Sequence, residues 1–236
     1  MKIIVISITK YKEKDAIIDA IGEQGDITFL AKGVFDPKNK NAQINNPLTI
    51  AEIELNEGSY KYPVLKSATT EFVPMKLKND YYYLGSLLLV AEATKTMLQQ
   101  EEKERIFNSL SETIRALKEA KEPWNILLAY FAKLITITGY ELEVNKCVFC
   151  GTKQGIITFS FKDGGFVCKD CLEDDMERDL TNTQMLLIRS AFNAKNIQNL
   201  EFECTKEDGL KVLNKFFEFI QDSYGVTFKS ATLINK

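Results

Sequence analysis

Four cysteines in two tight pairs, Cys147-Val-Phe-Cys150 and Cys168-Lys-Asp-Cys171, constrain this chain more than any other feature. Seventeen residues separate the pairs. A Cys-x-x-Cys turn sets two sulfurs on one side of the backbone, at a reach suited to a single metal ion. Two such turns face to face supply four thiolates, the tetrahedral shell of a closed structural zinc site with one ion per chain. The intervening segment explains how the pairs meet. Ile156 to Phe161 reads as a strand, Asp163-Gly164 as a hairpin turn, and Gly165-Phe166-Val167 as the start of the return strand. Such a hairpin delivers Cys168 back beside Cys150. Gly151 is expected to let backbone amides approach the sulfurs without a clash from Cβ. A four-thiolate iron site uses similar knuckles and stands as the alternative metal. Catalytic zinc is disfavoured, because all four ligand positions are filled. Disulfides are disfavoured because the chain lacks secretory signals. Cys204, in Leu200-Glu-Phe-Glu-Cys204, reads as a half-buried strand or loop thiol.

The 236 residues suggest two or three domains, and an apolar fraction of 45% is ample for real cores. The N-terminal run Ile3-Ile4-Val5-Ile6 is far too short to span a membrane and lacks a cleavage site, so it reads as a first strand. A cytoplasmic protein with no membrane partner is the expectation. The sequence contains no histidine. That removes the commonest general base, every Ser-His or Cys-His nucleophile pair and every mixed Cys/His metal site. Neither a phosphate-binding Gly-x-x-x-x-Gly-Lys-Ser/Thr loop nor a Gly-x-Gly-x-x-Gly turn occurs. The chain therefore reads as a binding protein and not as an enzyme. Its net charge is −3, so a nucleic-acid binder of this composition must concentrate its lysines on one face. Arg105, Arg115, Arg178 and Arg189 are the only arginines. Lysine acts on phosphate as a point charge and offers little bidentate base reading.

Residues 1–78 look all-β. Ala51-Glu-Ile53-Glu-Leu55 alternates with period two, and Gly25 to Gly33 reads likewise. Turn clusters fall at Asp36-Pro37, Asn45-Asn46-Pro47 and Glu57-Gly58. Short strands at this spacing favour a small closed barrel, because closure removes exposed edges. An OB-fold is one such barrel and a common platform for single strands. From residue 79 the period becomes helical. Asn79-Asp80 reads as a helix start, with Tyr81, Leu84, Leu88 and Ala91 on one apolar face. Of the Tyr81-Tyr82-Tyr83 run, one or two rings are expected to pack and the rest to stay exposed. Phe107, Leu110, Ile114 and Leu117 mark a second helix over 104–120. Glu122-Pro123 restarts the chain into a third, carrying Trp124, Leu127, Leu128, Phe131, Leu134 and Ile135 and stopping at Gly139. Thr181-x-x-Gln184 and Thr205-x-x-Asp208 are capping-box starts of two more. The last buries Leu210, Leu213, Phe216, Phe217 and Ile220 and ends near Gly225. The fold class is thus α+β: an OB-fold barrel over 1–78, then a helical domain over 79–236 with the four-cysteine zinc hairpin inserted at about 144–175.

This order of features resembles the RecO family of recombination mediators along essentially the whole chain. The most specific stretch is Gly139-Tyr140-Glu-Leu142 leading into Cys147-Val-Phe-Cys150-Gly151, then Gly164-Gly165 and the Cys168/Cys171 pair. Gly25 to Val34, continuing into Pro37-Lys38-Asn39-Lys40, is similar to the family's strand and basic loop, and Tyr224 to Leu233 to its C-terminal segment. The resemblance implies a non-catalytic repair mediator of the bacterial cytoplasm, associated with the nucleoid during repair. Such proteins bind single- and double-stranded DNA, anneal complementary strands, and with RecR load RecA onto strands coated by single-strand-binding protein, whose acidic C-terminal tail they contact. Candidate phosphate contacts here are Lys32, Lys38 and Lys40 on the barrel loop and Lys10, Lys12 and Lys14 after the first strand. An ordinary solvated surface charge is the alternative for each. The loop after Gly33 departs from the family in carrying Asp36 among lysines where arginine is more usual, so DNA binding is expected to lean on RecR. The reading from another class is a zinc-ribbon RNA-binding or translation-associated factor.

Overall fold

The computed structural model describes residues 1–56, 61–74, 81–197 and 200–235. The expected turn at Glu57-Gly58 and helix start at Asn79-Asp80 lie outside them. The chain forms two compact units, Met1–Lys121 with Phe228–Lys236, and Glu122–Thr227.

In the first unit β1 (Lys2–Lys10), β2 (Ala16–Gly22), β3 (Gly25–Ala31), β4 (Ile50–Asn56) and β5 (Val64–Phe72) close into a barrel of order β1-β2-β3-β5-β4. The neighbours are antiparallel except for β3 and β5, which run parallel, and β4 returns to β1 to complete the ring. This is the OB-type barrel expected from the sequence. Alternation sends Ile3, Val5, Ile18, Ala20, Phe29, Ala31 and Ile53 inward, where Val34, Ile44 and Leu65 complete an apolar core. Each large aliphatic buried there contributes roughly 1.5–3 kcal/mol. The outer face of β1, with Ile4 and Ile6, is also buried, and α1 (Tyr81–Met97) packs against this strand. Lys95 Nζ donates to Ser7 Oγ at 3.0 Å across that contact.

The apolar face expected for α1 is corrected here. Tyr81 and Leu88 are exposed, whereas Tyr83, Leu87, Val90, Thr94 and Met97 are buried. The helix is apolar around most of its circumference, so its sequence carries almost no phase; the barrel, α2 and α6 decide which side is covered. Of the tyrosine run, Tyr83 alone is fully covered, donating its hydroxyl to the Pro74 carbonyl at 3.1 Å. Helix α2 (Gln100–Glu119) starts four residues before the expected 104, where Glu102 accepts from the Gln99 backbone N–H. Its Phe107, Leu110, Ile114 and Leu117 are buried as read.

The C-terminal segment returns to this first unit. Helix α6 (Ala231–Ile234) lies so close to α1 that a Cβ on Gly85 would meet Leu233 and Ile234 at 3.2 Å. The Glu92 carboxylate accepts from the N–H groups of Lys229 at 3.0 Å and Ser230 at 2.8 Å.

In the second unit α3 (Trp124–Ile137) leads into β6 (Glu143–Cys147), β7 (Ile156–Ser160) and β8 (Gly165–Cys168), a sheet of order β6-β8-β7. Helices α4 (Asn182–Asn193) and α5 (Lys206–Tyr224) follow. Both begin as expected: Thr181 Oγ1 accepts from Gln184 N at 3.2 Å and Thr205 Oγ1 from Asp208 N at 3.1 Å. Helix α5 crosses α3 closely at Gly209, where a Cβ would stand 2.6 Å from that of Trp124. Gly139 at φ 99° and Gly225 at φ 67° end α3 and α5 in the left-handed region. Cys204 is a half-buried loop thiol, its pKa pushed up to about 12 by burial and then by the carboxylates of Asp208 and Glu122. No described helix is long and apolar enough to cross a membrane.

Burial raises the Glu92 pKa, but the Ser230 and Lys229 N–H groups overcome it and leave the carboxyl below 4.5. A depressed carboxylate stabilises the fold above its unfolded pKa and loses that contribution as pH falls through the folded value. Glu92→Ala should therefore cost about 1.5–3 kcal/mol near neutrality and less at an acidic pH below the folded pKa of the carboxyl. Amide exchange at Lys229 and Ser230, measured at both pH values, checks it.

Candidate functional site

Strands β7 and β8 form the expected hairpin, turning at Gly164 with φ 82°. Strand β6, not read from the sequence, runs parallel to β8 and brings Cys147 alongside Phe166. The knuckle after it is held by Cys147 N donating to Thr152 O at 2.7 Å and Gly151 N to Cys147 O at 2.9 Å. Gly151 adopts φ 75°, and no atom stands within 4 Å of a Cβ built there. The glycine is thus required for its left-handed backbone, and among residues other than its chain neighbours no sulfur approaches that Cβ.

These turns bring Cys147, Cys150, Cys168 and Cys171 together, with all four Sγ atoms within 4.8 Å of one another. Cys150 and Cys168 sulfurs are 3.6 Å apart. Four thiolates about 2.3 Å from one tetrahedral ion stand about 3.8 Å from each other. The cluster fits one such ion with only small adjustment. Cys147 and Cys168 are buried, Cys171 is half-buried and Cys150 is exposed. Burial works against ionising Cys147, but the N–H groups of Cys150, Cys168 and Phe149 bring its pKa down to about 6. Cys171 is pushed up to about 12, chiefly by its contacts with the Cys150 and Cys168 sulfurs. Protein dipoles thus favour one thiolate, and a cation is what would draw the remaining protons off.

The metal sheet is tied to α4 by Arg189, which donates from Nε to Val144 O at 2.9 Å and sits 5.1 Å from the Phe166 ring centroid. Strands β6 and β8 approach so closely at Gly165 that a Cβ there would lie 2.5 Å from Glu143 O.

The six candidate lysines fall at one rim of the barrel. Register explains it: Lys10 at the end of β1 pairs with Ala16 at the start of β2, and Ala16 pairs with Ala31 at the end of β3, one residue before Lys32. The loop 11–15 and the loop 32–40 are then fastened together. Asp15 Oδ1 accepts from Gly33 N at 2.8 Å, Lys14 O accepts from Phe35 N at 3.1 Å, and Lys14 Nζ reaches Asp36 Oδ2 at 3.0 Å. Asp36 also accepts from Lys38 N at 3.0 Å, and this bond followed by Lys14 holds its carboxyl below the ordinary range. The Asn39 side chain closes the second loop on the Lys32 carbonyl at 3.0 Å. Lys10, Lys12, Lys14, Lys32, Lys38 and Lys40 are all exposed. Asp36, which interrupts the positive run in sequence, is one of the residues that join its two halves. Sequence reasoning also passed over Tyr11, exposed between Lys10 and Lys12; the alternating Lys-Tyr-Lys was the available signal.

Gly165→Ala should pry β6 from β8 and separate Cys147 from Cys168. The expected result is a loss of roughly 1–3 kcal/mol in thermal or denaturant unfolding, together with weaker metal retention. Unfolding curves and metal-to-protein ratios after gel filtration check both effects.

Comparison with known proteins supplies the family. The model of the family described as "Recombination protein O C terminal" matches residues 78–231. Curated relatives cover nearly the whole chain. The DNA repair protein RecO of Caldicellulosiruptor bescii is 27% identical over 241 residues, spanning 92% of this chain and 97% of its own length. Those of Halalkalibacterium halodurans and Bacillus subtilis are each 22% identical over 236 residues, spanning 99% of this chain and 92% of their own. A family match over well over half the chain, on an OB-type barrel followed by helices and a four-cysteine sheet, makes this protein a member of the RecO family.

Proposed function

We propose that this chain is a non-catalytic mediator of DNA repair and recombination in the bacterial cytoplasm. The rim of its barrel, within the domain 1–78, binds the phosphates of single- and double-stranded DNA. The observation that carries this reading is the fastening of two lysine loops, remote in sequence, into one exposed surface. Annealing two polyanions requires cations that screen both strands at once, and a shared lysine surface supplies that. No nucleotide is needed for such screening. With RecR the protein helps load RecA onto strands coated by single-strand-binding protein, whose acidic tail it also contacts. Zinc is the metal proposed for Cys147, Cys150, Cys168 and Cys171, on the fit of four thiolates to a closed tetrahedral shell. Its contribution is folding energy for the small sheet, and the DNA work lies on the barrel.

Lys14 is neutralised by Asp36, which leaves about five other lysines to meet phosphate. Affinity for an oligothymidylate should then fall with salt at a log–log slope of about −3.5, and Lys38→Ala with Lys40→Ala should reduce that slope by about 1.4. Fluorescence anisotropy across a salt series checks this, alongside nucleotide-free annealing with and without RecR. A flat salt dependence, or a preference for RNA without annealing, would favour the RNA-factor reading. Metal analysis should return one zinc per chain, and Cys168→Ser should lose both the metal and soluble expression.

A further inference from the structure

Tyr11 is 53% exposed at the base of the loop between β1 and β2, directly after the last residue of β1. Exposed rings are common on protein surfaces; what sets this one apart is its place among the lysines of the barrel rim. The fold does not use the ring to build this loop. Backbone and carboxylate bonds do that: Tyr11 N donates to Asp15 O at 3.0 Å, and Asp15 and Lys14 are fixed to Gly33, Phe35 and Asp36. The ring is therefore held out on a braced support, which lowers the ordering cost of any contact it makes. Its surroundings are cationic. Lys10 and Lys12 flank it in sequence, and Lys12 Nζ lies 5.5 Å from the ring centroid.

A flat π face beside ammonium groups suits an unpaired nucleobase with its adjoining phosphate. We propose that Tyr11 is a stacking platform for a base of single-stranded DNA, and that it gives this lysine surface its preference for unpaired over paired strands. The inference rests on the DNA-binding reading above and adds a selectivity to it. Phosphate contacts from lysine do not by themselves select single strands, because a duplex presents the denser array of charge. A base in a duplex has both faces occupied by its neighbours, so the ring gains nothing there. An extruded or unpaired base offers a free face. The Tyr11 hydroxyl has no part in this, and phenylalanine serves equally.

The test measures binding of the full-length protein to an oligothymidylate and to a duplex of equal length, by anisotropy over a salt series. Tyr11→Ala is expected to weaken single-strand binding about 5- to 150-fold while leaving duplex binding within twofold. The salt slope should not change, because no charge is removed, whereas Lys12→Ala should lower it by about 0.7. Tyr11→Phe should restore the parent affinity. The ring supports no core, so the alanine variant should melt with the parent. Photo-crosslinking of a 5-iodouracil oligonucleotide, mapped by mass spectrometry, should place the adduct on Tyr11. Single-strand affinity of Tyr11→Ala within twofold of the parent, while Lys12→Ala weakens binding, overturns the stacking role and leaves the lysine surface standing. No effect from either substitution overturns both.

Discussion

Two short loops, far apart in sequence, behave as one surface because Asp15 and Asp36 bind them to each other. Asp15 takes the N–H of Gly33, and Asp36 takes Lys14 and the N–H of Lys38. Without these contacts, six lysines on two separate loops would repel one another and spread. With them, like charges are held close at a known rim of the barrel. The ion pair itself is exposed, and such pairs contribute little to stability. Its importance is positional. It trades one positive charge for a fixed arrangement of the others. The acidic residue that dilutes a basic loop in sequence is, in the fold, one of the contacts that assemble it, beside the Asp15–Gly33 and Lys14–Phe35 bonds.

The metal sheet poses the complementary problem. Three strands of five, five and four residues cannot support an independent core. Two devices hold them. Four sulfurs converge at one end, where a bound cation would add cross-links, and Arg189 clamps the sheet to α4 through the Val144 carbonyl and the Phe166 ring. Close approach does the rest, since Gly165 admits the Glu143 backbone where any side chain would block it. The same tactic recurs in α5 on α3 at Gly209 and in α1 on the C-terminal segment at Gly85. At Gly165 and Gly209 the glycine is needed for the absence of a Cβ, and at Gly85 a Cβ would press on Leu233 and Ile234, whereas Gly151, Gly164 and Gly225 are needed for positive φ.

What the sequence made legible follows from how local each signal is. The cysteine hairpin was readable because ligands, strand and turn lie within one short stretch. Thr181 and Thr205 head four-residue signals: the full capping box formed at Thr181, whereas at Thr205 only the N-cap half formed, the Asp208 carboxylate accepting from the Thr205 hydroxyl instead of its backbone N–H. The barrel was readable as a class, but β5 alternates weakly, with Lys66, Ser67, Thr69 and Thr70 along it, and it acquires a face only by pairing with β4 and β3. The α1 face was misread because an almost wholly apolar helix has no wet side to set its phase. Strand β6 needed knowledge of β8, and the return of residues 228–235 to α1 is a contact across most of the chain. The lysine candidates were visible one by one. That they form a single surface depended on strand register and on two aspartates whose partners are not sequence neighbours.

The central claim is that DNA lies on the barrel rim. Amine-labelling footprints of the full-length protein, with and without a saturating oligothymidylate, test it most directly. The account predicts protection of Lys10, Lys12, Lys32, Lys38 and Lys40, with Lys146, Lys153, Lys162 and Lys169 of the metal unit unchanged. Protection confined to the metal-unit lysines, with the barrel lysines labelled as in the free protein, would contradict it.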